Sequence, residues 1–366
     1  MISNDLLYQI SLTLVNGVGP VQSRLLIEQF TSAEAIFKAK KKELSAIEGI
    51  GEIKANQIKS FTDFKMAEEE IKFIEKNLIQ PLFISNKEYP QKLLNCYDAP
   101  VLLYYKGNAD VNNQKSLSIV GTRNNTDYGK KVTEELIENL KEFQVTIYSG
   151  LAFGIDAIAH KSALKNNLNT VGVLAHGLQS IYPQQHKYLA KEMLLQGGLL
   201  TEFTKNIKAD KHNFPRRNRI VAGISDATIV IETDFKGGSM ITAELAFNYN
   251  KDLFAIPGRI TDTKSSGCIK LIYQNKAMLL ANVQQLAENL GWSNPQQKKH
   301  QQRTLFIDLS KDELNIVDIL KLKEQVSIDE IFLQSKLSSS AIAAALLNLE
   351  LQNIISSLPG KMYELN

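Results

Sequence analysis

Between about residues 115 and 290, short β-branched runs, "LSIVGT", "QVTIYSG", "TVGVLAHG", "ATIVIET" and "DLFAIPG", alternate with longer stretches of helical period. Among the latter are "DYGKKVTEELIENLKEF", "IDAIAHKSALKNN" and "SMITAELAFNYN". Strands this apolar have no face to offer water, and helices of this length between them serve as crossovers. The expectation is an α/β protein with a Rossmann-like, doubly wound, mostly parallel sheet. Ligands of such sheets sit beyond the carboxyl ends of the strands, so the loops after the strands are the place to look for function.

The chain has 366 residues, more than one core usually holds, so flanking domains are expected. Residues 1–85 read as a helical helix-hairpin-helix (SAM-like) domain: Gly17 with Gly19, and Gly49 with Gly51, each precede a stretch of helical period. These glycines serve either tight turns between helices or the approach of backbone amides to a DNA phosphate. The sheet domain is expected over 86–291. A Gln-rich linker follows over 292–305 and a winged helix over 306–366. The second helix of that last domain, "SSSAIAAALLNLEL", carries no Lys or Arg, which suits a partner-binding or regulatory role better than DNA reading.

Charge is uneven once divided by region. Basic against acidic residues number 10 to 11 over 1–85, 24 to 19 over 86–291 and 8 to 9 over 292–366. The first of these balances favours the plain-turn reading of the hairpins. Within the middle region, Lys205, Lys208, Lys211, Arg216, Arg217 and Arg219 face a single Asp210, a patch that suits an anionic partner. Two cysteines, Cys96 and Cys268, supply neither a disulfide framework nor a cysteine-rich zinc site. With no basic leader and no apolar stretch of bilayer length, the expected location is the cytoplasm, away from membranes.

The strand-end loops carry the chemistry. In "SIVGTRNNTDYG", Gly121, Thr122 and Arg123 precede a helix start; neither a G-x-G-x-x-G fingerprint nor a P-loop is present, so no nucleotide cofactor is expected. In "SGLAFGIDAIAH", Ser149, Gly150 and Gly154 make a glycine turn suited to phosphate, while Asp156 and His160 share a helical face. That pair is either an acid-base couple or, as favoured here, a helix-start carboxylate and its histidine partner. In "TDFKGGSMITAELAF", Lys236, Gly237, Gly238 and Ser239 form a candidate amide nest.

Finally, "NFPRRNRIVAG" reads as a helix capped by Asn213 with Pro215 in its first turn. Arg216, Arg217 and Arg219 then stand against the helix dipole and call for an anion. Arg216 and Arg219 share a side and Arg217 points elsewhere. Pairing of one of them with Glu202, Asp226 or Glu232 is the structural alternative, with Arg216 the first candidate; Arg217 and Arg219 are the charges to test.

The ordered motifs "VGTR" (120–123), "YG" (128–129), "SGLAFGIDAIAH" (149–160), "YP" (182–183), "FPRRNRIVAG" (214–223), "GGS" (237–239) and "IPG" (256–258) resemble the DNA-processing protein A family (DprA, or Smf). Ile269 and Lys276 depart from it, standing where Asn and Gly are common. The resemblance implies a bacterial single-stranded DNA-binding protein of natural transformation, without enzymatic activity, which protects incoming strands and loads the RecA recombinase. It implies a homodimer formed through the Rossmann-like domain. Arg123 and Arg216 to Arg219, with Asn218 among them, meet phosphates in this reading, and Gly121, Ser149, Gly150, Gly238 and Ser239 add amides or hydroxyls. Phe214 offers a ring for base stacking. "GGSMITAE" is also similar to nucleotide phosphoribohydrolases of the LOG type, in which case Glu244 acts on a ribosyl bond.

Overall fold

A computed structural model describes residues 5–292, 309–321, 323, 325–352, 354–358 and 360–365, and the chain divides into two units, Met1–Asn294 and Pro295–Asn366. The first unit begins with helices α1 (Leu6–Leu14), α2 (Pro20–Phe30), α3 (Ala33–Lys38), α4 (Lys41–Ser45), α5 (Gly51–Lys59) and α6 (Phe64–Asn77). Their apolar stripes bury Ile10, Leu26, Ile36, Leu44, Ile58 and Ile74 in a common core. Two polar anchors fix these helices to the sheet. Arg24 of α2 donates to the carbonyls of Leu94 and Cys96, at 3.0 and 3.2 Å. Glu70 of α6, buried so that its carboxyl is pushed above its ordinary value, accepts the Lys205 amide at 3.0 Å.

The sheet follows as β1 (Gln80–Phe83), β2 (Leu102–Gly107), β3 (Ser116–Val120), α7 (Asp127–Asn139), β4 (Thr146–Ser149), α8 (Ile155–Lys165), β5 (Thr170–Val173), α9 (Lys187–Met193) and β6 (Gly197–Thr201). It continues through α10 (Asn213–Gly223), β7 (Ala227–Val230), α11 (Gly238–Asn248), β8 (Asp252–Ala255), α12 (Ser266–Tyr273), β9 (Met278–Leu279) and α13 (Val283–Asn289). The strand order is β1-β2-β6-β5-β4-β3-β7-β8-β9. Pairing is parallel from β6 to β9, while β1 and β2 are antiparallel additions at one edge.

Side chains of β3 alternate between faces. Leu117 and Ile119 pack with Ile137 of α7 and Ala159 of α8, and Val120 packs with Val221 of α10 and Ala243 of α11. Ser118, buried on that second face, donates to the Val221 carbonyl at 2.6 Å and so ties α10 to the sheet. The strands after β3 run outward on one side and those from β7 on the other, so the order reverses between β3 and β7. Crevices of doubly wound sheets open at such a point.

The second unit holds α14 (Lys311–Leu320), β10 (Val326–Ser327), α15 (Ile328–Ser335), α16 (Ser339–Leu351), β11 (Ile355–Leu358) and β12 (Met362–Leu365), with strand order β10-β12-β11. This is a winged helix. Ser310 and Glu313 cap α14 reciprocally, and Ile316, Ile331, Ile342, Leu346 and Leu349 form its core. The exposed side of α16 presents Ala343, Ala344, Leu347 and Leu351. The linker expected over 292–305 lies, beyond Trp292, outside the described residues. No described helix is long and apolar enough to cross a membrane.

Candidate functional site

A cleft of about 520 Å³ opens at the reversal point, walled by the loops after β3, β4 and β7 and by the first turns of α10. Gly121, Thr122 and Arg123 form its β3 side. The Thr122 amide donates to the Glu232 carbonyl at 2.7 Å, and the buried Glu232 carboxylate accepts from the Thr126 amide and hydroxyl at 3.0 and 2.5 Å. These bonds lock the β3 loop to the end of β7. Arg123 is exposed, its guanidinium 5.2 Å from the centre of the Phe214 ring.

The loop after β4 differs from what its glycines suggest. Gly150 lines the cleft, but its amide donates to Asp156 Oδ2 at 3.1 Å, as the Ala152 amide does at 3.3 Å. The turn is closed by its own carboxylate and is no phosphate cradle. Ser149 is buried outside the cleft lining, with its hydroxyl donating to the Ile119 carbonyl at 2.7 Å. Gly154 also lies off the cleft, packed so closely under the β3 loop that a Cβ would stand 2.3 Å from the Thr122 carbonyl oxygen. The expected Asp156–His160 pair does not form: His160 bonds Thr170 Oγ1 through Nδ1 at 2.7 Å.

Helix α10 divides its arginines as the spacing predicts but not with the predicted roles. Asn213 is its first residue rather than its cap, with Nδ2 donating to the Lys208 carbonyl at 3.3 Å. Arg217 lines the cleft but is buried, and it donates to the carbonyls of Gly150 and Val173. A Cβ on Gly150 would sit 2.6 Å from its guanidinium carbon, so glycine is what admits this arginine. Burial lowers the guanidinium to about 10, still charged at neutral pH, while burial raises the Asp156 carboxyl.

Arg219 faces away from the cleft. It is buried against Glu202 at 2.5 Å and the Asp98 carbonyl, a structural ion pair rather than a phosphate contact. Arg216 shares Glu202 at 3.6 Å but keeps 56% of its side chain exposed over the Phe203 ring. The expectation that Arg216 is the structural one is therefore reversed; the carboxylate lies between the two and Arg219 takes it. Asn218 lines the cleft and accepts from Arg217 Nε at 3.3 Å. Phe214 is half-buried, with its ring 6.1 Å from that of Tyr182.

Gly237, Gly238 and Ser239 complete the wall, while Lys236 is exposed outside it. The amides of Gly238 and Ser239, at the start of α11, have no partner among the described residues. Nor has the Ser239 hydroxyl, although that residue is only 8% exposed. A Cβ on Gly238 would meet nothing within 4 Å, so the space beside this residue is open. Lys211 and Thr242 also line the cleft. Lys211 was visible in the sequence only as one charge of the basic run, and Thr242 only as one turn into a helix from the glycines.

What the site can do chemically is hold an anion. Glu244, the carboxylate the phosphoribohydrolase reading requires, is outside the cleft lining and holds Lys276 through both oxygens at 2.8 and 2.7 Å. Lys276 thus has a structural partner, and Ile269 lies within α12. Both cysteines are buried, which pushes their thiols up to about 11 for Cys96 and about 12 for Cys268. No group of three or more His, Cys, Asp or Glu that could hold a metal occurs among the described residues.

Comparison with known proteins identifies the family. Residues 80–291 match the DNA recombination-mediator protein A family, 10–62 a SAM-like helix-hairpin-helix tandem and 304–361 the DprA winged helix domain. The protein Smf of Synechocystis is 31% identical over 403 aligned positions, covering all of both chains. The DNA processing protein DprA of Bacillus subtilis is 39% identical over 60% of this chain and 73% of its own. Among solved structures, DprA of Streptococcus pneumoniae superposes with a TM-score of 0.66 at 32% identity, over 78% of this chain and 97% of that one. The Helicobacter pylori protein, whose structure describes a single-stranded DNA binding mode, gives 0.52 at 32% identity over 58% and 95%.

Proposed function

Because the chain belongs to the DNA recombination-mediator protein A family, also called DprA or Smf, we propose that it binds single-stranded DNA in natural transformation, protects it and loads RecA, without chemistry of its own. The observation that carries the reading is the start of α11. Two unpartnered amides stand at the positive end of a helix on the cleft wall, with the buried, unpartnered Ser239 hydroxyl on the same turn. A helix start of this kind holds phosphate.

Arg123 and Lys211 line the same cleft and supply exposed cations for the backbone, with Arg217 a fixed, buried charge in its wall. Phe214 offers its ring to a base, and Arg123 then leaves that ring for a phosphate. The single-stranded DNA binding described for the Helicobacter pylori relative supports this choice of anion. In this proposal the sheet domain, 86–291, carries the DNA and pairs two chains, while the winged helix, 306–366, serves a partner.

Binding of a labelled oligothymidylate tests the reading. Charge reversal at Arg123 or Lys211 lowers the affinity and reduces the slope of log affinity against log salt by about 0.7 per lost contact. Duplex of equal length binds more weakly, since a stiff rod cannot follow a loop-lined cleft. Unchanged binding by both variants sinks the assignment. Release of free base from nucleoside monophosphates at enzyme rates would overturn the statement that there is no chemistry. Sedimentation checks the dimer, and the rate of RecA filament assembly on a single strand checks the loading.

A further inference from the structure

Beyond the cleft, we propose that the outer rim of the same sheet edge, formed by the loops after β7 and β8, is a second contact surface for the single strand. The inference rests on the reading of the cleft given above. The cleft wall ends at Gly237. The two residues before it, Phe235 and Lys236, belong to the same loop yet lie outside the wall, with Phe235 58% exposed.

Three contacts make the rim continuous. Lys270 of α12 places its ammonium 5.8 Å from the centre of the Phe235 ring. The Gly267 amide donates to the Thr233 carbonyl at 2.9 Å, joining α12 to the β7 loop. Tyr128, 46% exposed at the start of α7, donates its hydroxyl to the Pro257 carbonyl at 2.7 Å, joining the β8 loop to the β3 loop. Beside the last of these runs an open groove of about 770 Å³, with Tyr128, Pro257, Arg259 and Lys264 on its wall.

Lys236, Arg259, Lys264 and Lys270 make no ion pair among the described residues. The acidic groups nearby are Asp127, Asp262 and Asp234, and Asp234 already accepts the Lys236 amide at 2.8 Å. Unpaired cations interleaved with two exposed rings fit a flexible strand that stacks its bases and tracks its phosphates. A strand leaving the cleft past Gly237 meets Phe235 next. The occupant is thus the continuation of the strand held in the cleft.

Strand length separates the two surfaces, since sites of this kind span roughly 4–16 nucleotides. The full chain is titrated with oligothymidylates of about 5 and about 20 nucleotides, comparing wild type with the combined Phe235→Ala, Arg259→Glu, Lys264→Glu variant. The longer strand is expected to lose about ten-fold or more in affinity, with a salt slope smaller by about 1.4 for two contacts, while the shorter strand binds as before. Equal binding of the long strand by both proteins, or equal loss for both lengths, overturns the proposal. A second variant, Lys270→Ala with Phe235→Leu, leaves the β8 loop untouched and is expected to reproduce the length-selective loss. Failure of the cleft reading looks different, because the shorter strand then binds the Arg123 and Lys211 charge-reversal variants as it binds wild type.

Discussion

The loops after β4 and β7 look alike as sequences, "SGLAFG" and "DFKGGS", each a glycine turn between an apolar strand and a helix. In the folded chain they are opposites. Asp156 stands in the first turn of α8 and takes the amides of Gly150 and Ala152. The first turn of α11 has no acidic residue, and the amides of Gly238 and Ser239 stay open. Glycine marks where the backbone turns; the residue after the turn decides whether the helix start satisfies itself or waits for an anion from outside.

The contrast breaks most visibly at Asp156. Asp156→Ala leaves the Gly150 and Ala152 amides without their acceptor and is expected to destabilise the protein by about 3 kcal/mol in urea titration, from about 1–3 kcal/mol for each buried donor left unsatisfied. A loss below about 1 kcal/mol would mean that the β4 loop is not held by this carboxylate. Transplanting the carboxylate is the converse experiment. Ser239 occupies in α11 the place that Asp156 occupies in α8, and Ser239→Asp is expected to weaken single-strand binding by about 10–100-fold, equivalent to about 1.4–2.7 kcal/mol. Retained affinity in that variant would show that α11 is not the phosphate site.

Smaller effects sharpen the same comparison. His160, packed behind the β4 loop, is buried and held neutral, with its pKa lowered to about 3 by burial. The unfolded chain takes up that proton near pH 6.5, so the contribution is fully present above that pH and is lost as pH falls toward 3. Asp156 works with the opposite sign: burial raises its carboxyl, so its ionisation disfavours the fold as pH rises through the carboxylate range. Thermal melts of His160→Leu against wild type are expected to show a flatter acid limb. The smallest effect is that of Gly238→Ala, whose methyl group enters open space. Its melting temperature is expected to stay within about 1 °C of wild type while affinity drops about three-fold.

The alternation of apolar runs and helical stretches was enough to read the parallel strands β3, β4, β5, β7 and β8, because each is buried throughout apart from Asp252 at the start of β8. β1 and β2 escaped it, lying ahead of the alternation and pairing antiparallel with one another, and so did two strands within it, β6, which opens on two glycines, and β9, which is two residues long. For the site, the cleft-lining positions Gly121 to Arg123, Gly150, Phe214, Arg217, Asn218 and Gly237 to Ser239 follow from the rule that loops at strand ends meet. Roles were harder. Arg219 answers to Glu202 and the carbonyl of Asp98, and Arg217 to the carbonyls of Gly150 and Val173, all remote in sequence. Period alone showed that Arg216 and Arg219 share a side, but not which of the two the single carboxylate would take.

Leu151, between the two amides that Asp156 takes, is buried with a left-handed φ of 55°. For a leucine that backbone costs about 1–2 kcal/mol. It is clamped at three points: Asp156 on the flanking amides, Arg217 on the Gly150 carbonyl, and His186 Nδ1 on the Leu151 carbonyl at 2.9 Å. The turn is therefore an anvil rather than a hinge. An incoming strand finds this wall already set, and the entropy of ordering falls on the strand and on exposed side chains such as Arg123, not on the protein backbone.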